Sequence, residues 1–534
     1  MVYKKSGDYT NLNDYIKAIS GYTIRGLNRF KQSYFIPNLD KVANRIKKAA
    51  ADKQLIYVYG DYDTDGITSV SEMAILLNAI GANFQLYCPR RFSDGYGINA
   101  NTINFVPDGA LLITIDNGIT AIDALEAAAK RGIEVIILDH HMAAAVDENH
   151  IVLPHASIIV DPEALSEGCD WDGYCGAGLA CELAKIMLTP GSLPLEHIKA
   201  LAAIGTVADI VPLISANRKI VKEGLENINA GIMPLGLKTL VDQVRIVSKI
   251  QGPILSEHLG YYISPTFNAA GRMIDTGAMG VTATVLASTV ENAANYSAQL
   301  INWNTQRKSI TQDALNSVQI DDSDSINFVT GDIPAGCVGL VAGELVKHTG
   351  KPSFVSSKSE KGIYVGSVRS NHPLNNVKHM LDACGDLLLA HGGHAEAAGF
   401  SFKVENFDKV HAVLSSIPLV QVATEPMYDL DIEPIQIPAM MTELDSVEPF
   451  GKGVERPLFR LKVDFNPGDV NPTKDGVHLQ MKLPGNIKAM AFHMAERYSL
   501  EGNPTSLYLY GDLKWNYYRD TQSPQMIVKD YEIA

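Results

Sequence analysis

The chain has 534 residues, of which 46% are hydrophobic and 20% charged, and a formal net charge of −15. This length allows several domains and this balance describes an ordinary globular chain. No apolar run approaches the ~20 residues that span a bilayer, and an acidic chain is a poor general coat for DNA. A nuclease stays open, because bound divalent cations reverse the local sign.

The stretch Met1 to Asp8 lacks the apolar core of a signal peptide. The six cysteines (Cys88, Cys169, Cys175, Cys181, Cys337, Cys384) form no CxxC pair. Reduced thiols in a cytoplasmic protein are expected, rather than a disulfide framework or a zinc ribbon. Residues 1–50 read as a helical lead-in. Over 51–215, strands expected near 55–59, 84–88, 111–115, 135–138 and 157–160 alternate with helices such as 67–80 and 121–131. That alternation predicts an α/β fold with a doubly wound, mainly parallel sheet. Helix dominates 216–320 and ends in a long connecting helix from about Val290. A second α/β unit is expected over 321–425, with strands near 326–329, 353–356 and 363–368 and a glycine loop at Gly392-Gly393-His394. Short β segments over 426–534, broken by Pro and Gly, predict a small closed barrel of oligonucleotide-binding type.

The chemistry concentrates after the strands. Leu55-Ile56-Tyr57-Val58-Tyr59 runs into Gly60-Asp61-Tyr62-Asp63-Thr64-Asp65-Gly66. Strand-like alternation would turn the three carboxylates to one side, where they repel unless a cation joins them. The next strands run into Asp116-Asn117-Gly118 and Asp139-His140-His141, and Gly205-Thr206-Val207-Ala208-Asp209 adds a carboxylate from a helix or turn. Ligands of open α/β sheets bind at the carboxyl ends of the strands, so one shared site is implied. Mixed Asp and His ligands suit Mn²⁺ or Mg²⁺. So many carboxylates suit two ions, about 3.5–4 Å apart, as in hydrolysis at phosphorus.

Those four segments, in that order, resemble the motifs of the DHH phosphoesterase superfamily. Further segments resemble its RecJ-type single-strand exonucleases: Pro89 to Asn99, Asn268-Ala269-Ala270-Gly271-Arg272, Gly366-Ser367-Val368-Arg369-Ser370, Gly392-Gly393-His394 and Glu448-Pro449-Phe450-Gly451-Lys452-Gly453. Val454 departs from the family's usual Asn. The resemblance covers nearly the whole chain from about residue 40; the lead-in is shorter than expected for the family, and no large domain is expected after the barrel.

The resemblance implies a DHH domain, a connecting helix, a DHH-associated domain and a barrel, acting as a 5′→3′ exonuclease on single-stranded DNA with two Mn²⁺ or Mg²⁺ ions. Asp61, Asp63, Asp65, Asp116, His140 and Asp209 would be the metal set, with Asp116 as the bridge and Asp61 direct or outer. Asp139 would orient an imidazole, and His141 and His394 would face the scissile phosphate. Arg91, Ser367 and Arg369 would anchor the 5′ end. Tyr96, Asn268, Arg272, Arg307, Gly392 and Gly393 would line the substrate. Taken singly, Arg91 also fits a surface ion pair, Tyr96 a loop-packing ring, Arg272 a helix cap, Arg307 a solvated helix face and His394 a structural turn. Phe450, Phe459, Trp515, Tyr517 and Tyr518 are candidates for base stacking. A single-strand-binding protein or a helicase is an expected partner, and a membrane is not. Two other readings remain: a short-oligonucleotide or cyclic-dinucleotide phosphodiesterase, and an inactive replication scaffold.

Overall fold

The computed structural model describes residues 3–147, 150–359, 362–420, 426–518 and 521–534. Residues 1–50 do not behave as one unit. Lys4–Lys5 (β1) pairs in parallel with Met427–Tyr428, at the start of the C-terminal unit. Leu12, Tyr15 and Ile16 of α1 (Leu12–Ser20) are buried in the C-terminal core. Helix α2 (Leu39–Ala51) instead buries Leu39, Val42, Ala43 and Ile46 in the core of the first sheet. Each helix carries one apolar stripe, and the two stripes find different cores.

The first sheet contains β2 (Ile56–Tyr59), β3 (Phe84–Tyr87), β4 (Leu111–Ile115), β5 (Glu134–Leu138) and β6 (Ile158–Val160). Along β2, Ile56 and Val58 enter one core and Tyr57 and Tyr59 another. A strand buried on both faces belongs in a parallel sheet covered by helices on each side. The order is β3-β2-β4-β5-β6, every pairing parallel. The direction of winding reverses between β2 and β4, which opens a crevice at their carboxyl ends. Helix α3 (Thr64–Ala79) follows β2 and α4 (Ile122–Lys130) follows β4; α5 (Gly176–Met187) and α6 (Leu193–Ala208) pack against α3.

Helices α7 (Ser215–Ala230), α8 (Leu235–Val247), α9 (Ser264–Met273), α10 (Gly277–Val285) and α11 (Val290–Ser317) form the connector. A π turn, Leu259–Ile263, runs into α9. The second sheet holds β7 (Asn327–Gly331), β8 (Ser353–Lys358), β9 (Ile363–Arg369), β10 (Leu388–Gly393) and β11 (Ala397–Lys403), in the order β10-β11-β9-β8-β7, with α12 (Val338–Thr349) packed on β8 and β9. The expected glycine loop is a strand end: Gly392 and Gly393 pair with Gly399 and Ala398. Gly393 has φ +143°, and a Cβ there would lie 2.5 Å from Ala398 Cα. Close strand approach is what requires that glycine. The expected end of this unit, residue 425, lies outside the described residues.

The C-terminal sheet has β12 (Met427–Tyr428) beside it and is built from β13 (Leu430–Asp431), β14 (Phe459–Asp464), β15 (Val470–Pro472), β16 (Leu479–Leu483), β17 (Ile487–Ala491), β18 (Ser506–Tyr518) and β19 (Thr521–Ile533). Its order is β13-β14-β18-β19-β17-β16-β15. Helix α13 (Ile437–Val447) precedes β14. Phe450 and Phe459 belong to its core, so neither is available to stack on a base: Phe459 alternates inward along β14, and the Phe450 ring lies under the Arg456 guanidinium at 4.4 Å. Trp515 donates its Nε1–H to Asp445 at 3.0 Å, and Tyr517 is half-buried against Gly252, whereas Tyr518 is exposed. Among the described residues, no helix is long and apolar enough to cross a membrane.

Candidate metal centre

Strand alternation is not what gathers the first three carboxylates. Strand β2 stops at Tyr59; Asp63 is the N-cap of α3 and Asp65 lies in its first turn. The Asp63 side chain accepts the Gly66 N–H at 3.1 Å. A carboxylate at that position satisfies an orphan amide at the positive end of the helix, which outweighs continued extension. Asp65 turns to a second helix, accepting the N–H groups of Gly176 (2.7 Å) and Ala177 (2.9 Å) at the start of α5. Residue 176 has no room for a side chain, since a Cβ would lie 2.6 Å from Asp116 Cβ; at Gly205 of α6 it would lie 2.8 Å from Asp65 Oδ1. These glycines let two helices close on the cluster.

Asp116 follows β4 in a left-handed conformation (φ +60°), and Ile210, next to Asp209, has φ +57°. Such backbone costs about 1–3 kcal/mol in a non-glycine residue and gathers at functional sites. Asp209 caps the C-terminus of α6, where the helix end disfavours negative charge.

Asp61, Asp63 and Asp116 each place an oxygen within 4.8 Å of the others; Asp65, His140 and Asp209 form a second such group, and Asp116, His140 and His141 a third. Asp116 and His140 are the joints between groups. His140 Nε2 is 3.0 Å from Asp116 and 3.8 Å from Asp65, and its Nδ1 is 3.8 Å from Asp209. Burial, then mutual repulsion, pushes the carboxyls of Asp61, Asp63 and Asp116 upward and that of Asp209 up to about 8. Burial holds the His140 imidazole below its ordinary value. Two like charges about 4 Å apart repel by about 4 kcal/mol at an effective dielectric near 20. Asp61 Oδ1 is buried without a hydrogen-bond partner among the described residues. An orphaned carboxylate oxygen, crowded acids and a neutral imidazole fit divalent cations.

Asp139 is engaged elsewhere. It accepts the N–H groups of Ile119 (2.9 Å) and His140 (2.8 Å) and lies 2.7 Å from His141 Nδ1. Burial opposes the charged form of His141, but this carboxylate outweighs it and raises the imidazole to about 9. His141 Nε2 is 3.0 Å from the Tyr96 hydroxyl. Sequence reasoning passed over Asp161, which follows β6 as the other acids follow their strands. It is buried, its Oδ2 has no partner among the described residues, and burial beside Asp139 pushes it up to about 7. Gly176 and Ala177 were also missed; a glycine-rich helix start was their only signal.

A basic pocket adjoins the cluster. In the 89–99 loop, Arg90 is committed to Asp94 at 2.9 Å, whereas the Arg91 guanidinium lies 4.7 Å over the Tyr62 ring. Asp275, also unforeseen, accepts the N–H of Phe92 (2.8 Å) and of Ser93 (3.3 Å), tying this loop to the segment after α9. Arg272 donates to the Gly336 carbonyl at 3.0 Å. Burial, then the charges of Arg91, Arg307 and Arg369, lowers it to about 10, which places these arginines in one region. Arg307 is anchored to Asn304 Oδ1 at 3.0 Å. Arg369 donates to Ser367 Oγ at 2.6 Å. Gly339, in the first turn of α12, leaves them room: a Cβ there would lie 3.1 Å from Arg369 Nη2 and 3.2 Å from Ser367 Oγ. Guanidiniums, a hydroxyl and a helix N-terminus together favour phosphate.

Four expected residues sit differently. Asn268 turns its Oδ1 onto the Thr64 N–H at 3.0 Å, so it braces the metal loop. Gly392 and Gly393 are strand residues. His394 is exposed, its N–H bonded to the Ala397 carbonyl at 2.8 Å, and its ring has no hydrogen bond or ion pair among the described residues.

The DHH family N-terminal domain matches residues 55–206, the DHHA1 domain residues 325–417 and the RecJ OB domain residues 428–530. The chain is 30% identical over 526 residues to the single-stranded-DNA-specific exonuclease RecJ of Bacillus subtilis, covering 95% of this chain and 64% of that one. It is 30% identical over 477 residues to RecJ of Thermus thermophilus, covering 86% and 66%. It thus spans just under two thirds of the length of these curated relatives. The crystal structure of RecJ in complex with Mn²⁺ from Thermus thermophilus superposes with a TM-score of 0.78 at 25% identity, covering 97% of this chain and 75% of that one. With its three family domains in RecJ order and these relatives along most of its length, the chain belongs to the DHH phosphoesterase superfamily as a RecJ-type member.

Proposed function

We propose that this protein is a metal-dependent exonuclease that removes nucleotides from the 5′ end of single-stranded DNA. One adjacency carries the reading: Tyr62, between Asp61 and Asp63, supports Arg91 of the arginine pocket. A terminal phosphate held in that pocket brings the following phosphodiester to the carboxylate–histidine cluster.

Asp61, Asp63, Asp65, Asp116, His140 and Asp209 would hold two Mn²⁺ or Mg²⁺ ions. When bound, the cations lower the pKa of the attacking water and offset charge on the phosphate. The chain supplies the rest. Arg91, Arg369 and Ser367 grip the terminal phosphate, and Arg272 and Arg307 add charge behind them. Tyr96 sits beside the first nucleotide. Asp139 orients His141, whose Nε2 holds a proton for the departing 3′ oxygen. Asn268 positions the metal loop. His394, Gly392 and Gly393 enter this proposal by family resemblance alone. The unit limits at 50, 215, 320 and 425 belong to the same proposal, amended by the split of the lead-in.

Relatives named as single-stranded-DNA-specific exonucleases support the substrate, and solved RecJ complexes with Mn²⁺ and Mg²⁺ support the metals. A free single-stranded end implies a helicase that exposes it or a single-strand-binding protein that coats it. Six free cysteines suit a reducing cytoplasm. The C-terminal sheet weighs against a dinucleotide phosphodiesterase, and the retained acids weigh against an inactive scaffold. Digestion of 5′-labelled and 3′-labelled single strands with Mn²⁺, Mg²⁺ or EDTA is the test. Early release of the 5′ label, abolished by EDTA, is expected; early release of the 3′ label overturns the polarity.

A further inference from the structure

The turn Gly451-Lys452-Gly453, which leads into the C-terminal sheet, is docked on the catalytic unit just beyond Asp209. The Leu213 N–H donates to the Lys452 carbonyl at 2.8 Å. A Cβ on Gly451 would meet Leu213 Cδ1 at 2.5 Å, and one on Gly453 would meet Pro212 Cβ at 3.5 Å. Behind the turn, the buried Arg218 donates to the carbonyls of Pro449 (2.8 Å), Glu448 (3.1 Å) and Val447. The Ser256 hydroxyl donates to the Phe450 carbonyl at 2.6 Å. The backbone here is held from several sides.

The Lys452 ammonium is not held. The residue is exposed, with no side-chain hydrogen bond or ion pair among the described residues. It lines a cleft of about 630 Å³ together with Val207, Ala208, Ile210 and Tyr261, between the metal centre and the C-terminal sheet. The other cations of that cleft are paired: Lys514 with Glu257 at 2.6 Å, Lys529 with Asp512 at 3.0 Å and Arg456 with Glu448. Of the remaining acids, Glu455 accepts the Gly453 N–H at 2.9 Å. Lys452 shares this cleft with Ala208 and Ile210, the two neighbours of Asp209 in sequence. In the same cleft Tyr261 is 76% exposed on the π turn Leu259–Ile263, a local geometry that recurs at functional sites. Its ring contacts no other ring among the described residues.

A fixed backbone presenting one unpaired cation and one bare aromatic ring matches a nucleic-acid strand, which offers a phosphate and a base face at each step. Resting on the nuclease reading above, we propose that Lys452 contacts a phosphodiester of the single strand where it leaves the metal centre, with Tyr261 as the stacking surface for a base beside it. The turn into the barrel would then contribute to substrate binding next to the chemistry, before the strand reaches the barrel itself.

Full-length protein and a 5′-phosphorylated twelve-nucleotide thymidine strand test this, with anisotropy in Ca²⁺ across a salt series and steady-state cleavage in Mn²⁺. Lys452→Gln should weaken binding about fivefold at low salt and flatten log K against log salt by about 0.7, the loss of one phosphate contact to a single strand. Lys452→Arg should restore the slope. Lys452→Gln should also raise KM for the twelve-mer about fivefold more than KM for a thymidine dinucleotide. Tyr261→Ala should weaken binding about fivefold or more with the salt slope kept, because stacking releases no counterion. A wild-type slope and KM in Lys452→Gln, beside normal cleavage by the wild type, overturn this proposal alone. A wild type that neither binds nor cleaves the strand overturns the nuclease reading and this proposal with it.

Discussion

The side-chain carbonyl of Asn268 accepts the backbone N–H of Thr64 at 3.0 Å, across 204 residues of sequence. The Thr64 hydroxyl donates to the Ser264 carbonyl at 3.2 Å. Helix α9 therefore grips the first turn of α3, which carries the metal loop. Losing one such bond and leaving a partly buried amide unpaired costs about 1–3 kcal/mol. Asn268→Ala should weaken Mn²⁺ binding by calorimetry, and Asn268→Asp, which keeps an acceptor, should recover part of it. Normal Mn²⁺ affinity with weakened strand binding would return Asn268 to the substrate.

Asp116 joins two of the ligand groups. Asp116→Asn should fold, because the amide keeps the shape, yet lose activity by about a thousandfold, because the bridging charge is gone. Retention of more than about a tenth of the wild-type rate at saturating Mn²⁺ would refute the two-ion assignment.

Arg369 and Arg91 meet at the pocket from separate units. Charge-assisted phosphate contacts contribute about 1.5–3 kcal/mol each. Arg369→Ala should weaken binding of a 5′-phosphorylated strand about tenfold or more, and that of a 5′-hydroxyl strand far less. Anisotropy in Ca²⁺ measures both; equal losses would remove the end-recognition role.

The acidic cluster sets a pH dependence whose sign follows from raised carboxyl values. A carboxyl raised on folding stabilises the native state when protonated, and that contribution fades as pH rises towards the folded value. Asp209, at about 8, should make the metal-free protein more stable at pH 6 than at pH 8. Cations compete with those protons, so the Mn²⁺-induced rise in Tm should be larger at pH 8. An equal rise at both values would contradict the coupling.

Truncation near residue 440 removes most of the C-terminal sheet and strands part of the N-terminus. Leu12, Tyr15, Ile16 and Leu27 share that sheet's core. Each fully buried apolar side chain contributes about 1.5–3 kcal/mol. The truncated chain should aggregate or melt early by circular dichroism, and removal of residues 1–30 as well should restore a cooperative core. A stable truncated chain that retains its N-terminus would show that this packing is dispensable.

Much of the first sheet was legible because each strand is a short apolar run with a carboxylate behind it. Asp116, Asp139 and the two histidines could be placed at one crevice from that pattern. Asp161 carries the same signal and was overlooked. The first three acids were assigned to one site for the wrong reason. Their convergence comes from a helix N-terminus, and the local competition between capping and extension is decided by where α3 packs. Glycines read as a substrate-lining loop proved to be strand residues for the same reason, since only the partner strand reveals how close two backbones pass.

Residue type and local order, by themselves, determined the family motifs, the metal chemistry and the succession of units, because apolar periodicity and charge repulsion act over a few neighbours. Tertiary structure alone decided which groups remain free to act. Arg90 is tied to Asp94, whereas Arg91 lies over the Tyr62 ring with no carboxylate on it among the described residues. Asn268 is spent on a backbone amide, Phe459 on a core, and the first helix on the C-terminal sheet. Such choices depend on partners hundreds of residues away, and only the folded chain brings those partners within hydrogen-bonding distance.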